Sequence, residues 1–421
     1  MKDKDLARFR EILGSSRRQR SANPPVEKSI TYNFDSAAEA RAAMDGELPA
    51  YLRVLKQGSS PNTTVALLEH KLTLWERGEY ALAMASGMAA VSLAAETAME
   101  SSKNAEAVLF VPAYGGTWSF FQKKLARVHF VNANSAYPVQ ELGEALNSKT
   151  RLIFFEPLTN PSLDALDVTA IARTVHTYAP KALVVVDNTF PSSYNLQPLE
   201  LGADIVVISL TKYHSGFSGT MAGAVVAGPR CTTHFPSFWE HLCENYTLRG
   251  PVLAIDAAGG LLTSLETYAV RMERHNRNAM RLAQWLQQQP IVYCVRYPGL
   301  IGDLGYPIAS TQMHTPEWHQ GFSGMLSFRI KGGIPARDAF LDSFSFNGDN
   351  LVRHAPSLGS IKTLVEAAAI VSHGAIDPLL RQAAGIDDCD LRVSVGIEEP
   401  FELIIEDFKT ALENAGRAIT K

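Results

Sequence analysis

The chain has 421 residues, of which 46% are hydrophobic and 19% charged, and it carries a formal net charge of −4. That length predicts two or three domains and allows a sizeable core. The near-balance of charge offers no attraction for nucleic acid or for an anionic membrane, so neither is expected as a partner.

The N-terminal segment is charged over its first 13 residues and holds no secretory apolar run. Residues 1–57 are expected to form an N-terminal arm, with Pro24-Pro25 breaking it. An uncharged stretch runs from Tyr80 to Ala95. Broken by Ser86 and Gly87, it falls short of the roughly 20 apolar residues a membrane span needs. Residues 107–111, 151–155, 182–186 and 204–209 are rich in Val, Ile, Leu and Phe without strict alternation. Strands buried on both faces of a parallel sheet have this composition. Helix-length segments such as 139–146 and 168–178 lie between them. The alternation predicts an α/β domain over residues 58–250 with a mostly parallel sheet. Beyond it, a long helix is expected over 254–289, then strands at 324–330 and 390–395, a helix at 336–342 and a last helix near 400–416. Residues 251–421 are therefore expected to form a smaller α+β C-terminal domain.

The polar residues of interest fall where strands end, which is where ligands bind in open α/β sheets. Tyr114, Asn160, Asp187 and then Ser209, Thr211 and Lys212 each follow one of the apolar runs. Ser86, Gly87 and Met88 open a predicted helix, whose free N–H groups and positive dipole end suit a phosphate. An aromatic ring can stack on a heteroaromatic cofactor, Asp187 can pair with a pyridinium nitrogen, the hydroxyls and amides can hold a phosphate, and Lys212 can form an imine. Those are the groups that pyridoxal 5′-phosphate (PLP) requires. Each alone has an ordinary explanation: a tight turn for Ser86-Gly87, a helix cap for Asp187, a surface lysine for Lys212. Their joint occurrence in this order carries the reading.

No Gly-x-Gly-x-x-Gly is present for a dinucleotide. The 11 histidines form no HxH or HxxxH pair, so no metal is expected. Cys231, Cys243, Cys294 and Cys389 show no CxxC, so free thiols and a reducing, cytoplasmic setting are expected.

In its motifs the chain resembles the Cys/Met-metabolism (trans-sulfuration) PLP-dependent enzymes. Ser209-Leu210-Thr211-Lys212-Tyr213 followed by Gly216 is similar to the family's Schiff-base signature. Ser86-Gly87-Met88 resembles its phosphate turn, and Val186-Asp187-Asn188-Thr189 its pyridinium strand. Arg271-Met272-Glu273-Arg274-His275, Ser357-Leu358-Gly359 and the segment from Leu391 to Glu398 match further family motifs in family order.

The resemblance implies the PLP-dependent aspartate aminotransferase-like fold (fold type I), with Lys212 and Tyr114 catalytic and Arg392 with Ser357 holding the substrate's α-carboxylate. It implies that Tyr51 and Arg53 reach the phosphate in a neighbouring subunit, within a homotetramer built from catalytic dimers. The expected reaction is β- or γ-elimination on a sulfur-containing amino acid, as in methionine γ-lyase. The alternative is γ-replacement on an O-acyl-homoserine-type substrate by a thiol.

Several positions depart from the family. Residues 54–61 extend the link between Arg53 and Asn62, and Asn62-Thr63-Thr64 replaces Asn-Pro-Thr. Gly216-Phe217-Ser218-Gly219 replaces Gly-His-Ser-Asp. Pro356 stands where cystathionine-specific branches carry a glutamate, and Gly116 where methionine γ-lyases carry a reactive cysteine. The segment from Ile361 to Leu364 resembles the sulfhydrylase loop, and Ala367 to Ile370 departs from the usual His-Pro-Ala-Ser. The expected substrate is accordingly not cystathionine.

Overall fold

The computed structural model describes residues 25–31, 33–45, 62–317, 319–345 and 348–419. Tyr51, Arg53 and the extension over 54–61 lie outside the described residues. The first long helix, Thr63–Glu76, starts where Asn62 Oδ1 accepts from the N–H groups of Thr64 and Val65. Such a cap contributes about 1 kcal/mol. The Asn62 side chain also donates to the Glu27 carbonyl at 2.7 Å, tying the preceding segment to this helix.

Seven strands make the large sheet: β1 Tyr80–Met84, β2 Glu106–Val111, β3 Val128–Asn132, β4 Thr150–Phe155, β5 Leu183–Asp187, β6 Ile205–Ile208 and β7 Gly223–Ala227. Their order is β1-β7-β6-β5-β4-β2-β3. The pairs β3/β2, β2/β4, β4/β5 and β5/β6 are parallel, and only β7 runs against its neighbours. Alternate residues of each central strand pack on opposite sides. Val108, Phe110, Ile153, Phe155, Val184 and Val186 join one core, while Ala107, Leu109, Leu152, Phe154, Leu183 and Val185 join the other. Two buried faces explain the unbroken apolar composition of these strands. The uncharged stretch from Tyr80 to Ala95 folds as β1, a turn and the first half of helix Gly87–Glu100.

A second sheet follows, with β8 Val292–Arg296, β9 Met325–Ile330, β10 Arg353–His354, β11 Leu364–Ala367 and β12 Asp390–Ser394 in the order β10-β11-β12-β9-β8. It is antiparallel except for β10/β11. Helices Gly333–Asp342 and Glu402–Ile419 cover it through Phe340, which meets Phe328 edge-on, and Phe408, which meets it tilted.

The single helix expected over 254–289 is two helices, Ile255–Leu265 and Tyr268–Gln287. The break has a local cause. The Ser264 carbonyl accepts from Arg271 Nη2 at 3.0 Å, and the Ser264 hydroxyl donates to the carbonyls of His214 and Ser215. This ties the helix junction to the loop that follows Lys212. Among the described residues no helix is long and apolar enough to cross a membrane.

Candidate active site

The carboxyl ends of β2, β4, β5 and β6 open into a cleft of about 510 Å³, and the second sheet supplies its opposite wall. Ser86, Gly87, Met88, Tyr114, Asn160, Asp187, Ser209, Thr211, Lys212, Ser357 and Arg392 all line it. The structure thus brings together every sequence-predicted site residue that it describes.

At one end, Ser86 caps helix Gly87–Glu100, accepting from the Ala89 N–H at 3.1 Å. Nothing larger than glycine fits at residue 87, since a Cβ there would lie 2.8 Å from the Ser209 Cβ. The helix start and Ser209 therefore form one cradle of N–H and hydroxyl groups, which suits a phosphate. Ser209 is held by its N–H, which donates to Thr189 Oγ1 at 2.9 Å. The Thr211 hydroxyl is engaged with the main chain of Ala222, accepting from N–H and donating to C=O.

Asp187 closes β5, and its Oδ1 accepts from the Thr189 N–H at 3.0 Å. Burial raises its carboxyl above the ordinary range, against the Thr189 hydrogen bonds and the Lys212 charge, which lower it. A buried carboxylate of this kind gains most from a cationic partner such as a protonated ring nitrogen. Lys212 donates from Nζ to the Ser357 hydroxyl at 2.8 Å. Burial lowers its pKa to about 8, Arg392 acts in the same direction, and Glu366 and Asp187 oppose it. The loop after Lys212 is fixed by Arg271, whose Nη1 donates to the Tyr213 carbonyl at 2.6 Å.

Arg392 sits on β12, and Nη1 donates to Asn160 Oδ1 at 2.9 Å while Nη2 donates to the Ser357 carbonyl at 3.2 Å. Ser357 adopts φ 90°, a strained conformation for a residue with a Cβ. Gly359, at φ 73°, lets the same loop approach the lysine, for a Cβ there would stand 2.5 Å from the Tyr213 nitrogen. Ser357 thus touches both the amine and the guanidinium.

Sequence reasoning did not single out Glu156 or Glu366. Glu156 directly follows β4, so the strand-end rule that found Asp187 could have found it. It accepts from the N–H groups of Tyr114 at 2.7 Å and Asn160 at 2.9 Å. Burial, followed by the nearby Asp187 charge, raises its carboxyl, while those N–H bonds and Arg392 lower it. Glu366 stands opposite Arg392 across β11 and β12. Its signal required β11 to be recognised. Gly116 is also explained: a Cβ there would lie 2.5 Å from Tyr114 Cε1, so the glycine gives the ring its place.

Much of the remaining wall is apolar, with Leu158, Phe190, Met221, Pro356, Leu358 and Val371. Segment 370–374 closes one side, with His373 Nε2 2.8 Å from the Ala113 carbonyl. Burial lowers that imidazole to about 4, so it is neutral and donates there.

A mostly parallel sheet with a cradle of N–H and hydroxyl groups, a carboxylate and a lysine amine at its carboxyl edge, faced by an arginine from a second sheet, defines a PLP-dependent enzyme of fold type I. The chain belongs to the family of Cys/Met metabolism PLP-dependent enzymes, whose pattern it matches over residues 12–413. It is 34% identical over 395 residues to the L-methionine gamma-lyase of Fusobacterium nucleatum subsp. nucleatum, covering 92% of this chain and 93% of that one. It is 36% identical to the cystathionine gamma-lyase of Bacillus subtilis, covering 84% and 87%. The crystal structure of cystathionine gamma synthase from Xanthomonas oryzae pv. oryzae in complex with cystathionine superposes with a TM-score of 0.83 at 28% identity, covering 98% and 99%. The chain is thus an enzyme of carbon–sulfur amino-acid chemistry that uses PLP.

Proposed function

We propose that the protein cleaves the carbon–sulfur bond of a sulfur-containing amino acid by β- or γ-elimination, in the manner of a methionine γ-lyase. PLP, when bound, supplies an aldehyde that takes up an amine and a ring that draws electrons from Cα. The phosphate would lie in the cradle of Ser86, Gly87, Met88 and Ser209, beside Thr211, with Asp187 on the ring nitrogen and the Tyr114 ring against its face. Tyr51 and Arg53 of a neighbouring subunit would complete the phosphate site. Arg392, braced by Asn160 and Ser357, grips the substrate's α-carboxylate through charged hydrogen bonds. Lys212, freed as the substrate amine binds, would take the Cα proton; for γ chemistry it would hand that proton on before taking one at Cβ. The Tyr114 phenol returns a proton to the departing sulfur.

The observation that carries this reading is the contact of Ser357 with both Lys212 Nζ at 2.8 Å and Arg392 Nη2 at 3.2 Å. One residue fixes the spacing between the group that works at Cα and the group that holds the carboxylate attached to it. Elimination is favoured over γ-replacement by the wall around Pro356, Leu358 and Met221, which among the described residues is apolar and offers no charged group for a second amino acid. The experiment is to supply L-methionine, L-cystathionine, L-cysteine and O-acetyl-L-homoserine to the PLP-loaded protein and measure 2-oxo acid. Release without added thiol supports elimination. Product only when a thiol is present makes the enzyme a transferase.

The four free cysteines support placing the enzyme in the cytoplasm. Family membership supports a homotetramer of catalytic dimers, which light scattering would test.

A further inference from the structure

Arg392 reaches the cleft already paired. Glu366 is its direct cross-strand neighbour in the β11/β12 ladder. Opposed residues of an antiparallel pair share one face, so the two side chains meet without any loop to adjust them. Arg392 Nη2 lies 2.8 Å from Glu366 Oε1, with side-chain exposures of 4% and 2%. Apart from this ion pair, neither Glu366 carboxylate oxygen accepts a hydrogen bond among the described residues. A buried charge so poorly supported is costly by itself, and here its support is a residue of the reaction site. Glu366 lines the cleft beside Lys212 and Arg392.

We propose that Glu366 is a positioning residue of the reaction: it holds the Arg392 guanidinium ready before substrate arrives, partly neutralises it so that the α-carboxylate is bound moderately rather than tightly, and offsets part of the Arg392 charge at Lys212. The proposal rests on the reading of Arg392 as the carboxylate site. The guanidinium is shared among Asn160, the Ser357 carbonyl and Glu366. An arriving α-carboxylate takes the remaining N–H groups and meets repulsion from the Glu366 charge behind them. That repulsion eases release of the product acid as much as it weakens substrate binding, so it limits uniform binding without touching the chemical step. The same charge acts on the amine. Lys212 is faced by Arg392 from β12, by Glu366 from β11 and by Asp187 from β5, and only the two carboxylates favour its protonated form.

The test uses the PLP-loaded protein and two substitutions, Glu366→Gln and Glu366→Asp. The probe is 3-(methylthio)propanoate, a thioether acid without the amine needed for reaction, titrated calorimetrically at fixed pH. E366Q keeps the shape and removes the charge, and its Kd for the probe is expected to fall about tenfold, a modest share of a charge–charge term at close range. The pH midpoint of its visible cofactor absorbance is expected to move down by about one pH unit, since a carboxylate near the protonated nitrogen that joins Lys212 to the cofactor has gone. E366D keeps the charge but loosens the pair, so a smaller change of the same sign, about two- to threefold in Kd, is expected. If E366Q fails to fold, E366D alone decides the matter in the same two readouts. A merely structural role would lower the melting temperature of both variants while leaving Kd and midpoint unchanged, and that result overturns the proposal. Equal probe binding by wild-type protein and Arg392→Leu would instead overturn the underlying reading of Arg392, and the proposal with it.

Discussion

Glu76 offers a prediction that can be worked through to a number. It ends the helix Thr63–Glu76, is fully buried, and its Oε2 accepts from Asn188 Nδ2 at 3.2 Å, immediately beyond Asp187. Burial raises its pKa from 4.5 to about 8, against hydrogen bonds from Asn188 and Ser193 that lower it. It is therefore largely a neutral acid at neutral pH. Because its value is higher in the folded chain than in the unfolded one, the unfolded chain releases the proton first. The stability tied to this group is full below about 4.5 and is lost as pH rises towards 8. At 1.36 kcal/mol per pKa unit the interval corresponds to about 5 kcal/mol, and relaxation around a buried acid leaves about half of that measurable. Glu76→Gln is isosteric and cannot ionise. Between pH 5 and 8.5, wild-type protein is expected to lose about 2 kcal/mol more stability than E76Q, read from urea midpoints at each pH. Parallel losses in the two proteins across that range would refute the assignment of a neutral buried acid.

Three further outcomes follow from the site. Lys212→Ala is expected to abolish the visible absorbance of the PLP-loaded protein and to lower kcat by about a thousandfold or more, with the far-ultraviolet circular dichroism unchanged. In the wild-type enzyme kcat is expected to climb as pH rises through about 8, because Lys212 has to be unprotonated to take the Cα proton and burial lowers its pKa to that value; a flat profile from pH 6.5 to 9 would contradict this. Gly87→Ala places a Cβ 2.8 Å from the Ser209 Cβ. Overpacking of about 1–3 kcal/mol is expected to weaken PLP binding about tenfold, measured by fluorescence titration of the cofactor.

What could be read from the sequence follows from where the physics is local. β2, β4, β5 and β6 were legible because both their faces are buried, which leaves an unbroken apolar run. β3, with His129 and Phe130 exposed at the sheet edge, carries no such run. β1 was concealed inside an uncharged stretch that also supplies a helix. β10 is two residues long, and β8 is only partly buried, so neither leaves a pattern. Asp187 and Lys212 stood out because each ends an apolar run. Glu366 did not, since its meaning depends on a register with Arg392 that only pairing of β11 and β12 creates. Arg271 was visible only as part of a motif. Its contacts with the Tyr213 carbonyl and with Ser264 show why the helix expected over 254–289 is split.

The way the Lys212 loop is held has a consequence for the chain as it is being made. Lys212 lies at the midpoint of the sequence, yet its supports come later: Ser264 and Arg271 clamp the loop, Ser357 receives the amine, and Arg392 faces it across the cleft. A nascent chain that has emerged only through β7 contains the lysine and the phosphate cradle but none of these supports. The cleft is complete only when β12, the last strand of the second sheet, has docked. A chain that stops after β7 therefore lacks the side chains of Ser357 and Arg392 that face Lys212 across the cleft.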